Sequence, residues 1–600
     1  MSPPINPYPG LKQFLFFSLS LAPSAFLAVL IFKYSVDLPQ WDEWSYVPFF
    51  EKLSHGSLTF GDLFAQVNEY RQFFPNLVMV AVGWLTRWDP RYEMLVTFLV
   101  ACFISFTIYR LSKRTIVGDR TSGLLLFLIA NLIIFSPAQY ENWLQGQQLV
   151  YFIPIACVTT CLLVAYSGLN APARFGICAV LSVVSTFSSA NGIVCWLVVL
   201  PVLMLAESSS RLRARWGIVL GWIVGLVCSA ALYLHDYHKP WWSPKPSMAL
   251  SHPTVALDYF LAFAGAPLAL SNVKLAVAMG LIMTSAYGLS CYYLFKRRAD
   301  LTLVRRMLIW SMIGAYSLLT ALMTTFGRLG LGIAQSQNTR YIGFSAFLLV
   351  ALVFLLRIIN QDLASRSESG RQSIWFRWVT VGLAGILLAL QPFIFVLSID
   401  RMRKMKMLLL EAKASVLFIN LKPEPVLIRT LYPDVKSLTQ QANVLDGLGF
   451  LRPRLIRTLN VQEFAAPSQS NPADYGSWNQ LRSLEDGKRY RASGWASLPY
   501  RGEVADAVIL SYQTAGGETL MFEMTRPREK LAEVWYRKRD QSETWQVWFS
   551  TDQLPAQPVT LTAWAFDANS GKAFRLDGEF QFPGSDPKRS NENPSSIGLR

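Results

Sequence analysis

Two adjacent carboxylates, Asp42 and Glu43, stand between Trp41 and Trp44, just past an apolar run from about Lys12 to Tyr34. A second polar knot, Asn68-Glu69-Tyr70-Arg71, follows one loop later. A run of that length spans a bilayer core. Acids at its end are costly in lipid unless they face a water-filled cavity. A carboxylate held within hydrogen-bond reach of a hydroxyl can take its proton. The acid pair therefore predicts a catalytic cavity at the bilayer surface.

The elements that must position these residues are apolar helices. The chain has 600 residues, 52% of them apolar, and a mean hydropathy of +0.30. Up to about Ser398 the apolar residues come in runs of roughly 16–23, and after Asp400 such runs stop. Residues 1–400 thus read as a polytopic membrane domain and the rest as a soluble tail. The net charge of +16 does not point to nucleic acid: Lys and Arg cluster in short loops between apolar runs, with no basic stripe interleaved with aromatics. All seven Cys lie between Cys102 and Cys291, in or beside apolar runs and without CxxC spacing, and read as small hydrophobes. His235 and His238 make a weak metal signal. Residues 1–34 read as a retained signal-anchor helix, because the run is long and the positive flank thin.

Lys/Arg-rich loops belong on the cytoplasmic side. Arg110–Arg120, Arg211–Arg215, Lys296–Arg306 and Arg357–Arg377 are rich; Ser136–Gln148, Ser188–Asn191, His235–Thr254 and Phe326–Arg340 are poor. The two sets alternate for spans near 13–34, 92–109, 121–136, 148–167, 175–190, 191–206, 216–234, 273–295, 306–325, 341–358 and 376–397, about eleven in all. The N-terminus is then cytoplasmic and the tail extracytoplasmic. Segments 73–88 and 255–270 are left to lie along or dip into the outer face. The first outer loop, 35–91, and the Lys/Arg-poor loops hold most of the remaining polar side chains, which puts the chemistry outside.

In the tail, residues 401–420 read as an amphipathic helix that opens a mixed connector, 401–485. Short alternating segments at Ala505–Tyr512, Glu518–Met524, Thr544–Ser550 and Val559–Phe566 predict a β-sandwich-like domain over 486–583. Its tryptophans, Trp535 and Trp545 among them, read mainly as core. Residues 584–600, rich in Ser, Pro and Asn, read as a disordered tail.

With these residues in place, the chain resembles the GT-C superfamily of polyprenyl-phosphate-sugar-dependent glycosyltransferases over about residues 10–360. Oligosaccharyltransferases, protein O-mannosyltransferases, the aminoarabinose transferase of lipid A and uncharacterised bacterial integral-membrane members belong to it. The resemblance rests on the acids Asp42 and Glu43 after the first helix and on a horizontal helix introduced by Asn68-Glu69-Tyr70-Arg71-Gln72-Phe73-Phe74-Pro75. It also rests on Gln139-Tyr140-Glu141-Asn142 and on Thr339-Arg340-Tyr341 at a helix entrance. Tyr70 stands where His is common and Thr339 where Ser is common, and the His-Pro-Pro motif of the mannosyltransferases is absent.

The resemblance implies a sugar moved from a lipid phosphate to a glycan, lipid or protein acceptor at the outer face of a bacterial inner membrane. Asp42 is the first candidate for general base and Glu43 the second, since adjacent residues rarely face the same way. The leaving phosphate needs a fixed cation, and Arg grips phosphate oxygens bidentately; Arg340 leads, with Arg71 and Arg328 behind it. Glu69, Gln139, Glu141, Asn142, Gln147 and Tyr341 complete the candidate substrate contacts. A divalent cation, Mg or Mn, has possible oxygen ligands in Asp42, Glu43 and Glu141. No Gly-rich phosphate loop marks a soluble nucleotide-sugar site. Two other classes stay open: a transporter of lipid-linked saccharide and a non-catalytic scaffold for polysaccharide assembly.

Overall fold

The structure is a computed structural model and describes residues 9–118, 120–206, 212–366, 371–467, 471–484, 488–527 and 544–584. The tail expected to be disordered lies, from residue 585 on, outside the described residues. So do Trp535 and the first residue of the basic loop at Arg211. The chain forms two compact units. One holds the helices of residues 57–403 together with the first helix, Pro9–Tyr34; the other holds residues 36–56 and 404–600.

Among the described residues of the chain, nine helices are long and apolar enough to cross a membrane, which is the mark of a multi-pass membrane protein. They match nine of the eleven spans expected. The other two, Ala171–Thr186 and Ala190–Leu205, are shorter apolar helices. A tight turn at Phe187–Ser189 separates them. Gly192 is what allows it: a Cβ there would lie 1.7 Å from the Ser185 carbonyl oxygen. Segments 73–88 and 255–270 form the short helices Phe73–Thr86 and Pro253–Gly265. The second lies backbone to backbone on Val273–Lys296, since a Cβ on Gly280 would meet the Leu261 carbonyl at 1.8 Å; small residues permit such approach. The core of this unit is apolar and aromatic, with Trp310 stacked on Phe354 at 3.8 Å.

The helix expected to end near 397 does not stop there. Arg371–Leu417 is one helix, with Pro392 inside it. The amphipathic segment 401–420 is largely its last turns.

Near the N-terminal side of the first unit, Gln66–Val67 (β1) and Tyr70–Arg71 (β2) form a two-residue hairpin. Asn68 takes φ +52° at its tip, a conformation Asn tolerates better than most side chains.

In the second unit, a sheet is built from Gly476–Ser483 (β3), Arg489–Leu498 (β4), Glu503–Val504 (β5), Ala507–Gln513 (β6), Thr519–Thr525 (β7), Trp545–Ser550 (β8), Val559–Asp567 (β9) and Lys572–Phe582 (β10). Its order is β5-β4-β3-β10-β9-β6-β7, with β8 paired to β4. An isolated bridge from Pro527 to Trp545 and a hydrogen bond from Thr525 Oγ1 to the Gln546 carbonyl (3.3 Å) join β7 to β8. One curled sheet, a half-barrel, stands where two packed sheets were expected. Trp478 and Trp545 meet in its interior. β3 lies inside the expected connector because a bulge between Trp478 and Gln480 breaks the alternation that marks a strand.

A buried ion cluster fastens one end of this sheet. Arg501 bonds Glu503 (2.7 Å), Asp506 (2.7 Å) and Asp567 (2.9 Å). Lys406 and Tyr500 reach the outer oxygens of Glu503 and Asp567, each at 2.8 Å. Burial pushes the Asp506 carboxyl up to about 6 despite Arg501, whereas hydrogen bonds and charge hold Glu503 and Asp567 low.

Candidate functional site

The hairpin of β1 and β2 carries the first functional group inward. Its second turn residue, Glu69, forms an ion pair with Arg328 at 2.9 Å, and both side chains are more than four-fifths buried. Arg328 also donates to the Tyr70 hydroxyl at 3.0 Å and lies over the Trp242 ring at 5.1 Å. Arg71, two residues on, does not pair with Glu69. It is buried and donates to the backbone carbonyls of Phe64 and Tyr233 (3.1 and 2.9 Å) and of His235. Gln66 adds a reciprocal pair with the His238 backbone. Arg71 thus ties the hairpin to the loop after Leu234, and the Glu69 carboxylate is held by a cation more than 250 positions away.

Glu69, Tyr70 and Arg328 line a cavity of about 470 Å³, within the usual range for small-ligand sites. Tyr151, Tyr233, Tyr237 and Tyr341 supply further phenols, and Asn191, Lys239 and Thr320 further polar groups. Met323, Ile193 and Phe344 supply apolar wall. Burial raises the hydroxyls of Tyr70 and Tyr237 above the usual tyrosine range. Both stay protonated at neutral pH and can donate as well as accept. The Asn191 amide donates across the bundle to the Tyr316 hydroxyl (2.8 Å) and to Thr320 (3.3 Å).

Arg340 enters beside this cavity, at the start of the helix Thr339–Arg366. Its Nε is buried and has no hydrogen-bond partner. Tyr70 and Tyr341 lie within electrostatic reach of both Arg328 and Arg340, and Glu141 within reach of Arg340. The Gln139-Tyr140-Glu141-Asn142 segment is mostly structural in its contacts. Gln139 bonds the Ile134 carbonyl (2.7 Å) and accepts from Asn142 (3.1 Å). Asn142 also donates to the Arg340 carbonyl at 3.1 Å, while its own oxygen is buried without a partner. Gln147 reaches Gln72 at 3.3 Å. Tyr341 is buried against Phe263.

Asp42 and Glu43 fall in the other unit. The loop 35–91 is divided, residues 36–56 grouping with the C-terminal residues and 57–91 with the helices. The acids lie in the 3-10 turn Trp41–Tyr46 and diverge, as neighbours do. Glu43 is fully buried and its carboxylate accepts from the Gln40 backbone N–H at 2.6 Å, capping its own turn. Asp42 is half-buried. In the same unit, Phe50 from the following helix meets Phe450.

No three His, Cys, Asp or Glu side chains among the described residues converge to hold a metal ion. Sequence reasoning singled out Glu69, Arg328, Arg340 and Tyr341 but paired none of them, and it passed over Tyr151, Tyr233 and Tyr237. A density of Tyr near the helix ends was the available signal. Fold and site together define a multi-pass helical protein with a mainly-β C-terminal domain and a phenol-lined, charge-paired cavity among its helix ends. Compared with protein-family models, curated proteins and solved structures, the chain matches none.

Proposed function

We propose that the protein is an integral-membrane glycosyltransferase of GT-C type. It moves a sugar from a polyprenyl-phosphate donor to a glycan, lipid or protein acceptor at the outer face of a bacterial inner membrane. The observation that supports this reading best is the cavity: a carboxylate–guanidinium pair and five tyrosines in one small space. Phenol rings stack on sugar faces and their hydroxyls meet sugar hydroxyls. Besides Glu69 and Tyr70 of the loop 35–91, the cavity draws on Ser189, Asn191, Tyr237, Lys239, Pro244, Gly327 and Arg328. The last seven belong to loops poor in Lys and Arg, which the charge rule assigns to the outer side, with the N-terminus inside.

Arg340, with an unpartnered buried Nε, is the proposed ligand of the lipid phosphate. Asp42 is the proposed general base. The acceptor oxygen attacks the anomeric carbon, its proton goes to the carboxylate, and the bond to the phosphate oxygen breaks with the electron pair leaving on the lipid phosphate.

The test compares extractable glycolipids and surface polysaccharide from cells carrying the wild type, Asp42→Asn or a deletion. Asp42→Asn at normal protein level should lose the same sugar as the deletion. A wild-type profile for Asp42→Asn would remove Asp42 from the chemistry and leave the transferase reading without its base.

A further inference from the structure

The Glu69–Arg328 pair is unusual for its surroundings. Two opposite charges this deeply buried ordinarily have their remaining hydrogen-bonding capacity taken up by neighbours. Here the pair instead borders a cavity large enough for a small ligand. The contacts that hold it are of two strengths. Glu69 sits at the tip of a hairpin anchored by Arg71 and Gln66, so the carboxylate's backbone is fixed. Arg328 ends its helix, Leu301–Arg328; among the described residues its guanidinium bonds Glu69 and Tyr70, which line the cavity, and lies over the Trp242 ring. Two of these are neutral. A phosphoryl oxygen offers an arginine the same charge as a carboxylate and room for two parallel bonds. The cation can therefore change partner without being stranded, provided that an anion arrives.

We propose that Arg328 is a latch: it neutralises Glu69 in the empty cavity and exchanges it for the phosphoryl group of an incoming ligand, and the released Glu69 carboxylate then accepts hydrogen bonds from the hydroxyls of the sugar that the phosphate carries. The phosphate half of the ligand thereby creates the site for the sugar half. A free sugar meets a carboxylate already occupied by Arg328. A sugar phosphate releases it. The cavity then selects the two groups joined, because binding of one raises affinity for the other. The tyrosines contribute in both states. Tyr70 and Tyr237 keep their protons and so donate to phosphate oxygens, while Lys239 supplies a second cation on the rim, its Nζ resting on the Pro244 carbonyl at 2.7 Å. The sugar half of this inference rests on the transferase reading; the exchange at Arg328 does not.

The sign of one effect tests it. The full-length protein in detergent is titrated with farnesyl phosphate, a prenyl phosphate without sugar, and binding is measured by calorimetry. Glu69 competes with the ligand for Arg328, so Glu69→Gln should tighten binding on the order of tenfold. Glu69→Asp, whose shorter side chain keeps the charge but loosens the pair, should fall between it and the wild type. Arg328→Gln should weaken binding at least on the order of tenfold, the residual binding resting on Arg340 and Lys239. Weaker or unchanged binding by Glu69→Gln and Glu69→Asp would overturn the latch, since Glu69 would then be a support that holds Arg328 ready. Inorganic phosphate run in parallel separates the two sources of the anion. The same order for both ligands makes the phosphate group alone the trigger, and the order for farnesyl phosphate only makes it lipid-borne. If the order holds while Asp42→Asn cells keep a wild-type glycolipid profile, the latch stands and the assignment of the base falls.

Discussion

The two units each bury an arginine among carboxylates, and they do so in opposite ways. In the β unit, Arg501 meets Glu503, Asp506 and Asp567, and the leftover oxygens go to Lys406, Tyr500 and the backbone N–H groups of Ala568, Asn569 and Ser570. Every carboxylate oxygen of the cluster has a partner. In the helical unit, Arg328 meets one carboxylate and one phenol and faces open space. A saturated cluster fixes a fold; a pair beside space has somewhere to go. Burial of charge alone distinguishes nothing between the two, and the difference lies in what surrounds the charges.

That contrast can be broken by removing each cation. Arg501→Met leaves the buried carboxylates Asp506 and Asp567 without their cation, and the β unit should lose about 3–5 kcal/mol, measured by denaturant unfolding followed through tryptophan fluorescence. An unchanged midpoint would show that the cluster is ornamental.

The pH dependence of the same unit gives the next largest effect. Asp506 has a folded pKa of about 6, above its unfolded value, so the folded state holds the proton more tightly. Its contribution to stability is present at low pH and falls as pH rises from about 4 to 6, by on the order of 2 kcal/mol. Glu503 and Asp567 are shifted down and act the other way, losing their contribution as pH falls through their folded values. Asp506→Asn should flatten the decline between pH 4 and 6 and leave the acid-side loss intact. A decline that persists in Asp506→Asn would assign it to another group.

Arg328→Met should cost the helical unit only about 1 kcal/mol, because water in the cavity can solvate the Glu69 carboxylate, yet it should remove the sugar product in cells. A loss of several kcal/mol there, read by thermal unfolding, would make Arg328 a fastener like Arg501 and erase the contrast.

The sequence made the helical unit legible because a bilayer sets a minimum length for an apolar run, and nine runs meet it. The two expected spans at 175–190 and 191–206 are shorter apolar helices, Ala171–Thr186 and Ala190–Leu205, and composition could not show that Gly192 packs against the Ser185 carbonyl in the turn between them. In the tail, β6, β7, β8 and β9 were readable to within two residues from alternation, while β3 was hidden by its bulge. In the site, residue types were visible and partners were not. Glu69 and Arg328 are separated by most of the helical unit's sequence, and Arg71, nearer to Glu69, bonds backbone carbonyls instead. The division of the first loop between units leaves no trace in hydropathy.

The central claim is that the cavity serves transfer of a lipid-linked sugar, and vesicles test it most directly. The purified protein is reconstituted with lipid-linked sugars and acceptor extracted from cells lacking it, and the lipids are followed by mass spectrometry. Wild type should release free polyprenyl phosphate as the sugar is transferred, and Glu69→Gln should release little. Movement of the intact sugar lipid across the bilayer, with its phosphate–sugar bond unbroken, would contradict the account and make the protein a transporter.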